Sequence, residues 1–254
     1  MPPMNAPDER RVWDARRLSS PHTQPDKADR IRAMFDAIAP TYERVNTLFS
    51  GGRDVYWRRR AVELARVNKD DVALDIACGT GDQARALAQS GARLVVGCDF
   101  AHRMLLRAAR HRSAPTLCCR ADALRLPFAD GSVTLTTCSF GVRNFQDLDA
   151  GFREMHRVLA PGGRALILEF TRPANRLLRP VYEFYASRVM PVLAAGISRD
   201  RVGAYRYLPR SVVSFFSAGE MCARLVGAGF REARATRLTF GVVTVYVAHK
   251  APDG

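Results

Sequence analysis

The 254-residue chain carries 39 Lys and Arg against 25 Asp and Glu, a net charge of +14, with 47% hydrophobic residues, 18 Gly and 14 Pro. These values exclude disordered, collagen-like and low-complexity chains and fit one α/β domain with elaborations better than two full domains. The charge by itself admits nucleic acid, an anionic membrane or an acidic small molecule as partner.

Residues 1–26 mix charge with Pro, Ser and Asn without a sustained period, which predicts a flexible tail ahead of a single domain over 27–250. From Lys27, residues Ile31, Met34, Phe35 and Ile38 recur at helical spacing. Tyr42, Val45, Leu48 and Phe49 give a second helix, ended by Gly51 and Gly52, and Trp57, Ala61 and Leu64 give a third. Three helices over 27–68 therefore precede the first strand. Short apolar runs then alternate with amphipathic stretches, predicting strands at 72–77, 93–98, 116–119, 133–140 and 164–170 and helices at 83–89, 102–111 and 148–159. The run Ala160, Pro161, Gly162, Gly163 is read as stopping a helix and restarting a strand. Repeated βα units of this length predict an α/β, Rossmann-like parallel sheet with helices on both faces.

After Thr171 the rhythm breaks. Residues 172–217 form an insertion where a substrate lid is expected, with Tyr182, Phe184, Tyr185, Tyr205 and Tyr207 and an excess of six positive charges. A helix at 219–227 follows. Strands at 233–238 and 242–248, joined through Thr239, Phe240 and Gly241, form a hairpin that completes a mixed seven-strand sheet with an antiparallel end.

No run of roughly 18 apolar residues is present for a spanning helix, and the charged first residues resemble neither a secretory signal nor an anchor. The six cysteines lack CxxC or His-rich spacing, which argues against a zinc site or a disulfide framework and suits a reducing compartment. A cytoplasmic protein without a metal is expected, peripheral on the inner face of a membrane if the basic, aromatic insertion is an interfacial surface. Nucleic acid is not expected as a partner, because no aromatic and basic platform of the RNA-binding kind is present.

The strongest local signal is Leu74-Asp75-Ile76-Ala77-Cys78-Gly79-Thr80-Gly81-Asp82, a strand running into a Gly-rich turn that opens a helix. Gly79 and Gly81 let the backbone approach a ligand, and the helix start beyond them supplies unpaired N–H groups. Asp99 ends the second strand, 18 residues after Gly81, where a carboxylate accepts both hydroxyls of a ribose. Ala84 stands where a dehydrogenase fingerprint has its third Gly, and Asp75 precedes the turn instead.

With Asp75 in that place the stretch resembles the S-adenosylmethionine-dependent class I methyltransferases, whose first motif reads Asp-x-x-x-Gly-x-Gly. That resemblance implies a donor site made by Asp75, Gly79, Thr80, Gly81 and Asp99, with Asp122 on the adenine amino group, Ala123 packed on the ring and Ser139 at the edge of the cleft; Asp122 also suits a plain helix N-cap. The likeness narrows over Ser139-Phe140-Gly141-Val142-Arg143-Asn144-Phe145, over residues 157–171, and at Tyr205-Arg206-Tyr207-Leu208. It continues at Tyr42-Glu43-Arg44-Val45-Asn46, at Ser50 and Trp57, at Ala228-Gly229-Phe230 and at Gly241-Val242-Val243. Over about residues 28–249 the chain is similar to the ubiquinone/menaquinone biosynthesis C-methyltransferases. It departs from their pattern at Glu43, where Asp is usual, at Asp54, where His is usual, and at Val45, Ala160 and Thr171.

The resemblance implies methylation of a prenylated quinol ring, demethylmenaquinol to menaquinol or the methoxy-benzoquinol step of ubiquinone synthesis. Methylation of another small molecule, and a non-catalytic assembly partner built on the same fold, are the competing readings; a homodimer is left open. Deprotonating a hydroquinone pushes charge onto the adjacent ring carbon, so the protein must ease that step and hold a phenolate. Arg143 and Asn144 beside Ser139 are the catalytic candidates, Arg143 as phenolate stabiliser or orienter of a water because a guanidinium does not accept protons. Local pairing of Arg143 with Asp147 is the alternative. Tyr42, Asn46, Tyr205 and Tyr207 are candidates for the acceptor wall.

Overall fold

The computed structural model describes residues 12–13, 17–110, 116–173, 175, 179–180, 184, 188 and 203–253, with the side chains of Leu48, Phe49, Thr116 and Tyr205 excepted. Most of the predicted insertion, including Tyr182, Tyr185, Arg176, Arg199 and Arg201, lies outside the described residues, as does the end of the helix expected at 102–111.

Helices α1 (Lys27–Ile38), α2 (Tyr42–Ser50) and α3 (Arg53–Leu64) come first. They are followed by β1 (Val72–Ile76), α4 (Asp82–Gln89), β2 (Leu94–Asp99), α5 (His102–Ala108), β3 (Thr116–Arg120) and β4 (Val133–Ser139). The second half holds α6 (Leu148–Val158), β5 (Leu159–Phe170), α7 (Ala204–Val213), α8 (Ala218–Gly227), β6 (Glu232–Leu238) and β7 (Val243–His249). The sheet order is β3-β2-β1-β4-β5-β7-β6. Strands β1 to β5 pair in parallel, and β7 runs antiparallel to both β5 and β6. The seven-strand mixed sheet with its antiparallel end is the predicted one, in register throughout the hairpin from Glu232↔His249 to Leu238↔Val243.

The chain reverses direction across the sheet between β1 and β4, which opens a crevice beyond their carboxyl ends. One face of the sheet is covered by α6 and α8 through Phe152, Met155, Leu225 and Phe230, and the other by α3 and α4 through Trp57, Ala61, Ala84 and Leu87. A third apolar cluster, formed by Ile31, Met34, Met104, Trp13 and Tyr207, roofs the crevice. Trp13 stacks on Tyr207 at 4.2 Å between ring centroids and Leu18 is buried, so the segment read as a flexible tail contributes packed side chains.

Two boundaries differ from expectation. The Ala160–Gly163 run does not separate helix from strand: α6 ends at Val158 and β5 begins at Leu159, passing through the run with a register irregularity opposite Val133 and Leu135. Strand β4 ends one residue early because Phe140 takes a left-handed φ of 58°.

Gly151, in the first turn of α6, faces the Phe145 ring so closely that a Cβ there overlaps it. Alanine favours a helix over glycine by about 1 kcal/mol, yet overpacking of a tight contact costs about 1–3 kcal/mol. Gly151→Ala is therefore expected to lower the melting temperature despite its better propensity, as thermal unfolding would show. An unchanged or higher melting temperature would mean that Phe145 moves aside freely.

Candidate active site

The turn after β1 is built from backbone conformations that few residues tolerate. Ala77, Gly79 and Gly81 have φ of 54°, 56° and 84°, and Gly81 is the N-cap of α4. The turn is tied to its neighbours by Cys78 N–H donating to the Cys98 carbonyl (3.0 Å) and Gly81 N–H to the Cys78 carbonyl (2.9 Å). Gly141, just past β4, leaves no room for a side chain: a Cβ there stands 2.6 Å from Cys138 Sγ and 2.9 Å from the Ala77 Cβ. The two chain segments that carry the site thus approach each other over that glycine.

Asp75 is fully buried and accepts the Thr137 hydroxyl on Oδ1 (2.7 Å). Burial pushes its carboxyl up to about 7, against the pull of that hydroxyl and of Arg58. Asp99 accepts the N–H of Gly79 on Oδ2 and of Ala101 on Oδ1, both at 2.8 Å. Burial nonetheless raises it to about 6. The two carboxylates therefore hold the mouth of the turn, one braced by backbone and the other with an oxygen to spare.

A cleft runs from this turn along the carboxyl edge of the sheet. Of the predicted site residues, Tyr42, Gly79, Asp99, Asp122, Ala123, Ser139 and Asn144 line it; Ile31, Phe35, Met104 and Phe145 make the rest of the wall mainly apolar. A smaller recess continues it beneath the turn, lined by Asp75, Thr80, Gln83, Arg58, Tyr42 and Ser139. Asp122 does not cap a helix. It makes a tight turn, accepting the Leu124 N–H at 2.9 Å, in the loop after β3.

In the recess, Asp75 Oδ2, Arg58 Nε and both amide atoms of Gln83 are buried without a hydrogen-bond partner among the described residues. Buried polar atoms in proteins are nearly always paired, so this concentration of a carboxylate, a guanidinium and an amide around one recess fits a ligand end carrying both an ammonium and a carboxylate. Such a group is the amino-acid end of the donor implied by the glycine turn. Arg58 and Gln83 were not singled out from the sequence, although Asp54, Trp57, Arg58, Ala61 and Val62 fall on one buried stripe of α3. A charged pair on an apolar stripe was the available signal.

Arg143 and Asn144 lie on a short 3-10 turn after β4. Only Asn144 lines the cleft. Arg143 is 3% exposed and points behind it, donating to Glu169 Oε1 (2.5 Å), to the Phe140 carbonyl (2.7 Å) and to Ser211 Oγ on α7 (3.3 Å). Its acid is Glu169 at the end of β5 rather than Asp147, which caps α6 by accepting the Ala150 N–H. Burial drives the Glu169 carboxyl up while Arg143 draws it back. Asn144 donates to the same Phe140 carbonyl (3.4 Å) and accepts the Tyr207 hydroxyl on Oδ1 (3.0 Å). Tyr207 is thus a buried support for Asn144 and does not line the cleft. Asn46 is also absent from the cleft wall, donating instead to Asp54 (3.3 Å). The side chain of Tyr205 lies outside the described residues. Tyr42 borders both the cleft and the recess, and burial pushes its phenol up to about 12, so it stays a hydrogen-bond donor at neutral pH.

The model of the ubiE/COQ5 methyltransferase family matches residues 23–250. A demethylmenaquinone methyltransferase from Thermus thermophilus is 46% identical over 222 residues, spanning 85% of this chain and the whole of that protein. A ubiquinone/menaquinone biosynthesis C-methyltransferase from Geobacter sulfurreducens is 40% identical, spanning 89% of this chain and 90% of its own length. Among solved structures, a SAM-dependent methyltransferase from Thermotoga maritima superposes with a TM-score of 0.62 at 19% identity over 85% of this chain and 98% of that one, a likeness of fold.

Proposed function

The chain belongs to the ubiE/COQ5 methyltransferase family, and from that premise we propose that it transfers the methyl group of S-adenosylmethionine to a ring carbon of a prenylated quinol. Demethylmenaquinol is the first candidate acceptor and the methoxy-benzoquinol of ubiquinone synthesis the second. The observation that carries this reading is the junction of two environments. Unpartnered Asp75, Arg58 and Gln83 atoms fill the recess under the glycine turn, and an apolar cleft suited to an aromatic ring continues from it to Asn144.

The donor, when bound, supplies an electrophilic methyl on a sulfonium. The protein's part is placement and charge. Asp99 would present a carboxylate to the ribose hydroxyls, Asp75 would meet the ammonium, and Arg58 with Gln83 would meet the carboxylate of the bound donor. Ile31, Phe35 and Phe145 exclude water around the acceptor ring. Asn144, with its carbonyl oxygen committed to Tyr207, presents its amide N–H to a quinol oxygen and steadies the phenolate as its proton leaves to water. The ring carbon beside that oxygen would take the methyl as its bond to sulfur breaks and a neutral thioether leaves, and loss of the ring hydrogen to water as a proton would restore aromaticity. Arg143 acts as a positioning residue: it pins the left-handed Phe140 carbonyl and, through it, Asn144.

The test is methyl transfer to demethylmenaquinol and to the methoxy-benzoquinol under reducing conditions, followed by mass analysis of the product. A product heavier by one methylene on either ring supports the reading. Methylation of neither, with donor binding intact, would leave methylation of another small molecule as the better reading.

A further inference from the structure

Gly97 in β2 sits in register between Asp75 of β1 and Cys118 of β3. Its missing side chain leaves a gap that two sulfur atoms share: the place a Cβ would occupy lies 3.0 Å from Cys78 Sγ and 3.8 Å from Cys118 Sγ. Cys78 reaches the gap from the glycine turn, where its N–H donates to the Cys98 carbonyl (3.0 Å). Cys118 reaches it from the strand at the edge of the sheet.

The two thiols stand in different surroundings. Cys78 is buried and Cys118 is exposed. They share a hydrogen bond, which lowers Cys118 to about 7 and, together with burial, raises Cys78. At neutral pH Cys118 is therefore the nucleophilic thiolate, open to solvent, with Cys78 as the protonated partner beside it. A low, accessible thiol next to a second that can resolve its oxidised form is the arrangement of a redox-sensitive pair. The other cysteines lack it. Burial raises Cys98, Cys119, Cys138 and Cys222, and none of the four is exposed. Cys98 and Cys119 also stand in register, but they pack in the apolar cluster against α6 and α8.

We propose that Cys78 and Cys118 form a reversible disulfide on exposure to peroxide, and that this bond weakens the donor site. A transient, sensing bond of this kind suits a reducing compartment, where a structural framework does not. The Cys118 thiolate attacks one oxygen of hydrogen peroxide; the O–O bond breaks, hydroxide leaves, and the sulfur is oxidised by two electrons to a sulfenic acid. The Cys78 sulfur then displaces the hydroxyl, forming the S–S bond, and its proton leaves with that hydroxyl as water. A dithiol reverses the step by exchange and is itself oxidised to a disulfide. Bonded sulfurs stand about 2.0 Å apart, so the bond draws the turn toward β3. Cys78 lines the recess, and the N–H of its neighbour Gly79 is held by Asp99. The pull therefore displaces groups assigned to the donor. That effect rests on the donor reading above, whereas formation of the bond does not.

The experiment treats the reduced full chain with hydrogen peroxide, maps the non-reduced digest by mass spectrometry, and measures S-adenosylmethionine affinity before oxidation, after it, and after dithiothreitol. The native chain is expected to yield a peptide pair joined through Cys78 and Cys118, to bind the donor about tenfold more weakly, and to recover on reduction. Its melting temperature should not fall on oxidation, which separates the loss from unfolding. Cys118→Ser, at a position that lines neither the cleft nor the recess, is expected to keep its affinity through the peroxide treatment. Absence of the joined pair, a Cys98 to Cys119 bond in its place, a bond between two chains, or the joined pair with unchanged affinity would overturn the proposal. So would an equal loss of affinity in Cys118→Ser. A reduced chain that binds no donor would remove the donor reading and the coupling with it, while the mapped bond is read without any ligand.

Discussion

Arg143→Ala is expected to reduce turnover at least about 100-fold, the scale seen when an oriented donor to a developing oxyanion is lost, while leaving affinity for the methyl donor nearly unchanged. Arg143 touches none of the recess residues, so donor binding survives; what is lost is the anchor of the Phe140 carbonyl and of the adjoining Asn144. The same change strands Glu169, which is fully buried, and removing one member of a buried pair costs about 3–5 kcal/mol. The sign of its pH dependence follows. Without Arg143 the folded-state pKa of Glu169 rises further above its unfolded value, so the protonated acid is the form that folds. The stability gap from the native protein is then smallest near pH 4–5 and widens as pH rises toward 8. Thermal melts across that range check it, and a pH-independent gap would show that Glu169 finds another partner. Combining Arg143→Met with Glu169→Gln separates the two roles: stability should return and turnover should not. Recovery of turnover in that double variant would remove Arg143 from the catalytic machinery altogether.

What the chain discloses before folding is whatever depends on neighbours in sequence. Asp75, Gly79, Gly81 and Asp99 were legible because a parallel sheet puts the ends of β1 and β2 side by side, and the register Ile76↔Cys98 carries Asp99 to the Gly79 N–H without any distant partner. The parallel part of the seven-strand sheet followed from the same βα rhythm, whereas the strand order came only with the fold. The misreadings concern long-range packing. Tyr207 looked like an acceptor-wall aromatic, yet it stacks on Trp13, almost two hundred residues earlier, and serves Asn144 from behind. Arg143 had an acid four residues away in Asp147, but that carboxylate is consumed in capping α6, and the partner arrives from β5 only when β4 and β5 pair. Arg58 was hidden in a run of three arginines. Helical phase alone distinguishes it, placing Arg58 on the stripe of Trp57 and Ala61 while Arg59 stays outside.

The donor site makes the other large prediction. Asp99→Ala removes the carboxylate proposed to accept two ribose hydroxyls, and hydrogen bonds to a charged group contribute about 1.5–3 kcal/mol each, so affinity should fall by about 3 kcal/mol or more, roughly 100-fold. It also frees the Gly79 N–H that shapes the turn. Native affinity should depend on pH in a defined direction. Asp75 and Asp99 sit near 7 and 6 in the free protein, raised by burial; Thr137 and Arg58 act to lower Asp75, the Ala101 and Gly79 N–H groups act to lower Asp99, and Asp36 raises Asp99 further. Raised carboxyls stabilise the free fold below their unfolded value of about 4, and that contribution is lost as pH climbs through 6 and 7. A donor bearing positive charge on its ammonium and sulfonium binds the ionised carboxylates, so its affinity rises over the same interval and levels off above about pH 8. Binding at pH 6 must then release protons to the buffer, whereas binding at pH 8.5 must not. Titration calorimetry in buffers of different ionisation enthalpy reads that release directly. Donor affinity that is flat from pH 5.5 to 8 with no proton release would mean that the two carboxylates do not meet the cationic ligand, and the assignment of the recess would fall with them.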